Sequence, residues 1–302
     1  MAELSSALAD QAKNDIRLEA AIAKLWTTEI GWRIVDDCLQ IRGGRGYETA
    51  DSLKARGELP IPVERMMRDF RINRIFEGSS EIMRLFIARE AVDTHLQVAG
   101  DLLKTDLSPA EKAKAFTKVG AHYAGWLPQR FVGWGRWPRY SEFGDLADHF
   151  RFIDRTSRKL ARTLFYAMAM YQAKLERKQA VLGRFVDIGA ELYAMAATCV
   201  RAHSLRKSDD GEKAQKMASV FCDRARLRVE DLFDRLFDNA DDPTYKLAQE
   251  VLRGEHAWLE TGVTQIIPDG ANVAPDPHGA DRDTEGERNI SGASKATQLG
   301  TS

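Results

Sequence analysis

Between Leu146 and Leu236, apolar side chains return every three or four residues through stretches too long to be strands. That period places one side chain per helical turn on a single face, whereas a half-buried strand alternates residue by residue. Leu146, Phe150, Ile153, Leu160, Leu164, Tyr171 and Leu175 predict one long helix. Leu182, Phe185, Ile188, Leu192, Met195 and Cys199 predict a second, and Phe221, Ala225, Val229, Leu232 and Leu236 a third. Shorter helical pieces follow from Pro243 to Trp258. A helix with one apolar stripe must bury it against another helix, so residues 141–261 predict an antiparallel bundle, with Tyr193, Ala194 and Met195 on its inner face.

Residues 1–100 carry a similar pattern. Leu18, Ile22, Leu25, Trp32, Val35 and Leu39 form the inner stripe of a helix that Gly43 and Gly44 stop, because glycine tolerates the positive backbone angles of a helix end. The polar stretch Glu48 to Leu59 reads as a surface excursion, a second helix follows Pro62, and a third begins after Glu77 with Ile82, Leu85, Phe86, Val92 and Leu96 facing inward. The expected fold is therefore all-α, two consecutive helical bundles. Residues 262–302 hold hardly any large apolar side chain and are expected to stay disordered.

Residues 101–140 form a linker of unusual chemistry. From Lys112 to Ser141 there are six Lys and Arg residues and no Asp or Glu, and Tyr123, Trp126, Phe131, Trp134, Trp137 and Tyr140 interleave with Arg130, Arg136 and Arg139. Such rings and cations suit the headgroup zone of a membrane, each cation near an anionic surface adding roughly 1 kcal/mol. An irregular loop whose rings pack on the bundle would show the same composition. Gly125, Gly133, Gly135, Pro128 and Pro138 argue against one continuous helix.

Composition narrows the function classes. With 44% apolar residues the chain can build a core, and charges interrupt every apolar run well before the length of a membrane span. Met1 to Lys13 lacks the basic start and apolar block of a signal peptide, so a cytoplasmic location is expected, with peripheral contact to the inner membrane open. A net charge of −1 gives no reason to expect a nucleic-acid partner. Cys38, Cys199 and Cys222 are read as reduced, buried thiols, and Cys199 with His203 lacks the further ligands of a metal site.

The stretch Ile75-Phe76-Glu77-Gly78-Ser79-Ser80-Glu81-Ile82-Met83-Arg84 places one carboxylate on a short turn between helices, before helix-capping serines. Backed by Ile75 and Phe76, Glu77 can be held out of water, and burial makes a carboxylate a stronger base. A surface acid at a helix start is the plainer reading of the same residues.

Glu77 stands in a series: Gln40-Ile41-Arg42-Gly43-Gly44-Arg45-Gly46-Tyr47, then Pro62-Val63-Glu64-Arg65-Met66-Met67-Arg68-Asp69, then Ile75-Phe76-Glu77-Gly78-Ser79, then a helix ending Ile87-Ala88-Arg89-Glu90. The series resembles the C-terminal helical domain of the acyl-CoA dehydrogenases, most closely the very-long-chain branch and its bacterial relatives. The resemblance covers about residues 10–100 with specific motifs and 140–260 with weaker pattern similarity.

It implies FAD-dependent α,β-dehydrogenation of long-chain acyl-CoA to trans-2-enoyl-CoA in fatty acid β-oxidation, with electron-transfer flavoprotein as the reoxidising partner. It implies that Glu77 is the base and that the Glu77 amide helps hold the thioester oxygen, with Gly78 beside it against the substrate. Gln40, Gly43, Gly44 and Ser79 match cofactor positions, and Glu81 stands where some relatives have Gln, which leaves its own contact with FAD open. Arg68, Asp69 and Arg89 are expected in structural ion pairs.

The second bundle resembles the extra C-terminal domain of the very-long-chain branch, which implies a homodimer. The family's N-terminal helical domain and β-domain have no counterpart among these residues, so the chain is expected to be a C-terminal portion, inactive by itself. A non-catalytic assembly or membrane-docking protein that kept the fold is the alternative.

Overall fold

The computed structural model describes residues 1–11, 15–99, 108–132 and 138–260. Among them there is no strand. The helices are α1 (Ala2–Asp10), α2 (Arg17–Arg42), α3 (Gly44–Tyr47), α4 (Ala50–Ala55), α5 (Val63–Arg71), α6 (Ser80–Ala99), α7 (Pro109–Val132), α8 (Ala147–Tyr171), α9 (Gln179–Ser204), α10 (Gly211–Asp234) and α11 (Asp241–Leu252). The all-α expectation holds. Residues 1–239 form one compact unit and residues 240–302 another. In the second, α11 is followed by a 3₁₀ turn, Ala257–Glu260.

Helix α9 is the axis of the first unit. Val181, Phe185, Ile188, Leu192, Ala194, Met195 and Cys199 are buried, and so are Val186, Ala190 and Ala197 on its other sides. A helix that is apolar nearly all round must be surrounded. Here α2, α6, α8 and α10 surround it. Ala21 and Leu25 of α2, Ile87 and Ala88 of α6, Leu164 and Ala167 of α8 and Cys222, Ala225 and Val229 of α10 join α9 in one continuous core. The helices expected within residues 1–100 and those after residue 141 thus share their apolar interior.

The predicted helix through Leu175 ends earlier, at Tyr171, where Gln172 takes a φ of 48°, and a 3₁₀ turn (Gln172–Arg177) tucks Leu175 into the core. Nor is the stretch Glu48 to Leu59 a mere surface excursion. Thr49 Oγ1 accepts from the Ser52 amide, α4 forms, and Leu53 is fully buried. Of the α6 residues expected inward, Ile82 is 58% exposed and Leu96 is also exposed. The core face of α6 is instead set by Met83, Phe86, Ile87 and Ala88, which meet α2 and α9 together. Cys38 is exposed, contrary to expectation, because α2 is solvent-facing on that side. Cys199 and Cys222 are buried thiols whose sulfurs lie 3.5 Å apart, and the hydrogen bond with Cys199, then burial, pushes the Cys222 thiol up.

In the linker, helix α7 runs through Gly120, Gly125 and Pro128 to Val132. Pro128 lies in the last turn and a half, where its missing amide leaves the Ala124 carbonyl without its helical donor and the rest of the helix is short. Tyr123 and Trp126 pack on His95 of α6 and Phe165 of α8, and Arg130 lies 4.7 Å from the Trp126 ring centre. Tyr140 stacks on Phe150. Phe116, Phe131 and Val132 are exposed. Gly133, Trp134, Gly135, Arg136 and Trp137 lie outside the described residues, as does the expected disordered tail.

Candidate active site

The turn between α5 and α6 is wound tightly. The 3₁₀ turn Ile72–Arg74 extends α5, and the Ile75 and Phe76 amides both donate to the Ile72 carbonyl, at 2.9 and 3.1 Å. The next two residues have left-handed backbone, Glu77 at a φ of 52° and Gly78 at 93°. Gly78 is required on two counts. Its φ disfavours any side chain, and a Cβ there would stand 2.6 Å from Met83 Sδ. Ser79 Oγ then accepts from the Ile82 amide at 3.4 Å and α6 begins.

Two side chains of α2 hold this turn. Lys24 Nζ donates to the Gly78 carbonyl. Glu29 Oε1 accepts from Arg74 Nε at 2.9 Å on one side of the turn and from the Ser80 hydroxyl on the other. Ser80 is buried and the Glu29 side chain is 13% exposed. Burial pushes the Glu29 carboxyl up, but the Ser80 and Arg74 hydrogen bonds, with the charges of Arg74 and Arg84, hold it below the ordinary value. Arg84 in turn bonds Asp187 of α9 at 2.9 Å, and burial pushes the Asp187 carboxyl up against that pull. Sequence reading missed Glu29 and Lys24. The signal was present, since Leu18, Ile22, Leu25, Glu29 and Trp32 follow four-three-four-three spacing and put a carboxylate in the register of an apolar stripe.

Glu77 is exposed, which corrects the expectation that Ile75 and Phe76 shield it. Both of those side chains are themselves exposed, so nothing among the described residues roofs the turn. Glu81 is exposed, and Gly78 and Ser79 are half-buried beside it.

The remaining candidates lie elsewhere. Gln40, Gly43 and Gly44 are at the far end of α2, about 24 Å from Lys24 at 1.5 Å per residue. Gly43 stops the helix with a φ of 58°. Nothing lies within 4 Å of where a Cβ would stand at Gly43 or Gly44, and the neighbouring Arg42 Nε is buried without a hydrogen-bond partner. An exposed amide side chain, two open glycines and a spare donor fit the close approach of the adenosine end of FAD.

Between the two ends opens a cavity of about 620 Å³, lined by Trp32 and by Glu64, Met67, Arg68 and Arg71 of α5, with Tyr47 and Ile75. Gly31 allows α5 to lie this close, because a Cβ there would meet the Phe70 ring at 2.3 Å. Arg68 pairs with Glu64 and Asp69 with Arg65, as the ion-pair expectation required in kind, whereas Arg89 forms no ion pair among the described residues.

Residues 1–92 match the family described as acyl-CoA dehydrogenase, C-terminal domain, and residues 145–255 the family described as ACAD9/ACADV, C-terminal domain. The probable acyl-CoA dehydrogenase FadE10 of Mycobacterium tuberculosis is 58% identical over 264 residues, which cover 86% of this chain and 41% of that protein. The mitochondrial very long-chain specific acyl-CoA dehydrogenase of Homo sapiens is 30% identical over 231 residues, 74% of this chain and 32% of the relative. A crystal structure of acyl-CoA dehydrogenase complexed with FAD from Bacillus anthracis aligns with a TM-score of 0.49 at 25% identity, over 76% of this chain and 35% of the other. The chain spans about two fifths of the length of FadE10. With both of its helical segments matched in this way, the chain belongs to the acyl-CoA dehydrogenase family.

Proposed function

We propose that this chain supplies the catalytic base and part of the FAD-binding surface of a long-chain acyl-CoA dehydrogenase of fatty acid β-oxidation. The observation that carries this reading is the Ile75–Ser80 turn, which presents Glu77 on strained backbone at an open, apolar edge. FAD, when bound, supplies the acceptor for the electrons that leave the β-carbon. Gln40, Gly43 and Gly44 would hold its adenosine end, and Ser79, with Glu81, would lie near it at the other.

The chain's own chemistry is at the α-carbon. The Glu77 carboxylate takes the α-proton. An acyl chain laid against Ile75 and Phe76 strips water from that carboxylate, which strengthens it as a base. As the proton leaves, negative charge grows on the thioester oxygen, and the Glu77 amide, which joins no backbone bond of the turn, donates to it.

Because the Glu77 turn is held at the middle of α2 and Gln40 stands near its C-terminal end, one chain touches two separate parts of the cofactor surface, which supports a homodimer in which each copy completes its partner's pocket. Electron-transfer flavoprotein as acceptor and a peripheral membrane contact through residues 112–141 belong to the same proposal. The exposed Phe116, Phe131 and Val132 support the membrane contact. No helix among the described residues is long and apolar enough to cross a membrane.

The test is Glu77→Gln in an FAD-loaded enzyme made by joining this chain to the remaining part of FadE10. Flavin bleaching after rapid mixing with a long-chain acyl-CoA should slow by about 10²- to 10⁴-fold, with flavin content and acyl-CoA binding retained. Bleaching at the unsubstituted rate would place the base elsewhere and favour the non-catalytic alternative for this edge.

A further inference from the structure

We infer that Glu29 is a positioning residue for the reaction, a half-buried carboxylate that fixes the Glu77 turn from both sides. This rests on the reading of Glu77 as the base. A non-glycine residue at a φ of 52° is strained and persists only where its surroundings over-determine it.

The restraints on this turn come from α2. Arg74 precedes the turn and Ser80 follows it, and both donate to the same Glu29 oxygen. The five residues between them are therefore closed into a loop whose ends cannot separate. Lys24, five residues earlier on α2, takes the Gly78 carbonyl and fixes the loop's rotation. The side-chain bonds of Glu29 go to Arg74 and Ser80, on either side of the turn, so it acts on the base through the backbone that carries it.

Its charge matters as well as its shape. A neutral amide in its place would offer one weaker acceptor to Arg74 and set its own N–H groups against the guanidinium. Arg84 lies close enough to favour the ionised carboxylate and is itself anchored on Asp187, so α9 supports the same device. The position of the base is in this way tied to the helix at the centre of the core.

The experiment uses the same FAD-loaded enzyme with Glu29→Gln, Arg74→Ala, Arg74→Lys and, as control, Glu77→Gln. In Glu29→Gln the rate of flavin reduction at saturating acyl-CoA should fall about 10²-fold, the cost of displacing a reacting group by about 1 Å. Flavin content and acyl-CoA affinity should stay near those of the unsubstituted enzyme, and the pH profile of the reduction rate should shift. Arg74→Ala should behave similarly and Arg74→Lys should recover part of the loss.

Hydrogen exchange of amides 75–79 in the 302-residue chain should quicken in Glu29→Gln. If Glu29→Gln fails to fold, Ser80→Ala, which removes only one of the two bonds, carries the same readings. An unsubstituted rate and pH profile in Glu29→Gln, beside an inactive Glu77→Gln, overturns the positioning role and leaves the base assignment intact. A fully active Glu77→Gln overturns the base assignment instead, and the catalytic role of Glu29 with it.

Discussion

Gly78 and Glu77 share the burden of reversing the chain between α5 and α6, and they share it unequally. Glu77 accepts a strained backbone because its neighbours leave no alternative, while Gly78 at a φ of 93° is where no side chain is tolerated. Gly78→Ala should destabilise the chain by about 1–2 kcal/mol from the left-handed backbone alone, since Met83 is flexible enough to swing its sulfur away. Chemical denaturation checks this, and an unchanged midpoint would mean that the turn relaxes. At this scale the sequence was informative about chemistry and blind to environment. The Ile75 to Ser80 stretch foretold the turn that joins α5 to α6, yet the same letters suggested a shielded Glu77, and shielding depends on groups outside the stretch. Glu29 went unread for the opposite reason. A carboxylate in an apolar register looks like a break in the pattern until its two donors, 45 and 51 residues away, are seen.

Helix α7 shows what an element can hide in its composition. Its glycines and proline predicted an interruption, but tertiary packing overrides propensity when rings on one face find partners. His95, 8% exposed, accepts or donates at 2.9 Å to the Tyr123 hydroxyl and meets the Trp126 ring edge-on. Burial, then the charges of His122 and Arg130, hold its pKa below the ordinary value. His149 of α8 is buried too, bonded to Ser219 at 3.0 Å with its Nδ1 unpartnered, and burial and Arg226 lower it in the same way. Asp148 and Asp223 face it with opposing effect.

For both groups the unfolded chain takes up protons first as pH falls. Their contribution to stability is therefore complete above the unfolded value of about 6.5 and is lost as pH drops toward the lower folded values. The melting temperature should decline between about pH 6.5 and 5, and His149→Gln should flatten part of that slope. A melting temperature that is level over this range would show that neither ring stays neutral in the fold. Helices were legible from period alone, whereas their facing was not: Ile82 sits at an apolar position that α2 and α9 do not reach.

For the whole molecule, the decisive fact is that α9 gathers α2 and α6 into one interior with α8 and α10. Period and spacing announced helices on both sides of the linker but carried no information on which would pack together. The candidate site is distributed in the complementary sense, with the Glu77 turn and the Gly43 end both open at the surface. The 302-residue chain by itself should accordingly bind FAD weaker than micromolar and be colourless when purified. Calorimetry that found tighter binding would show that Gln40, Gly43 and Gly44 suffice for the cofactor.

Helix α2 joins these two places as a rigid ruler of 26 residues. Removing one residue between Arg33 and Leu39 would draw its far end in by about 1.5 Å and swing it by about 100°, turning Gln40 and Gly43 away from the side they now face. Adding or removing a whole turn restores the facing but offsets it by about 5.4 Å. The length of α2 between the Glu29 clamp and the glycine stop is thus a quantity that tolerates substitution but not insertion.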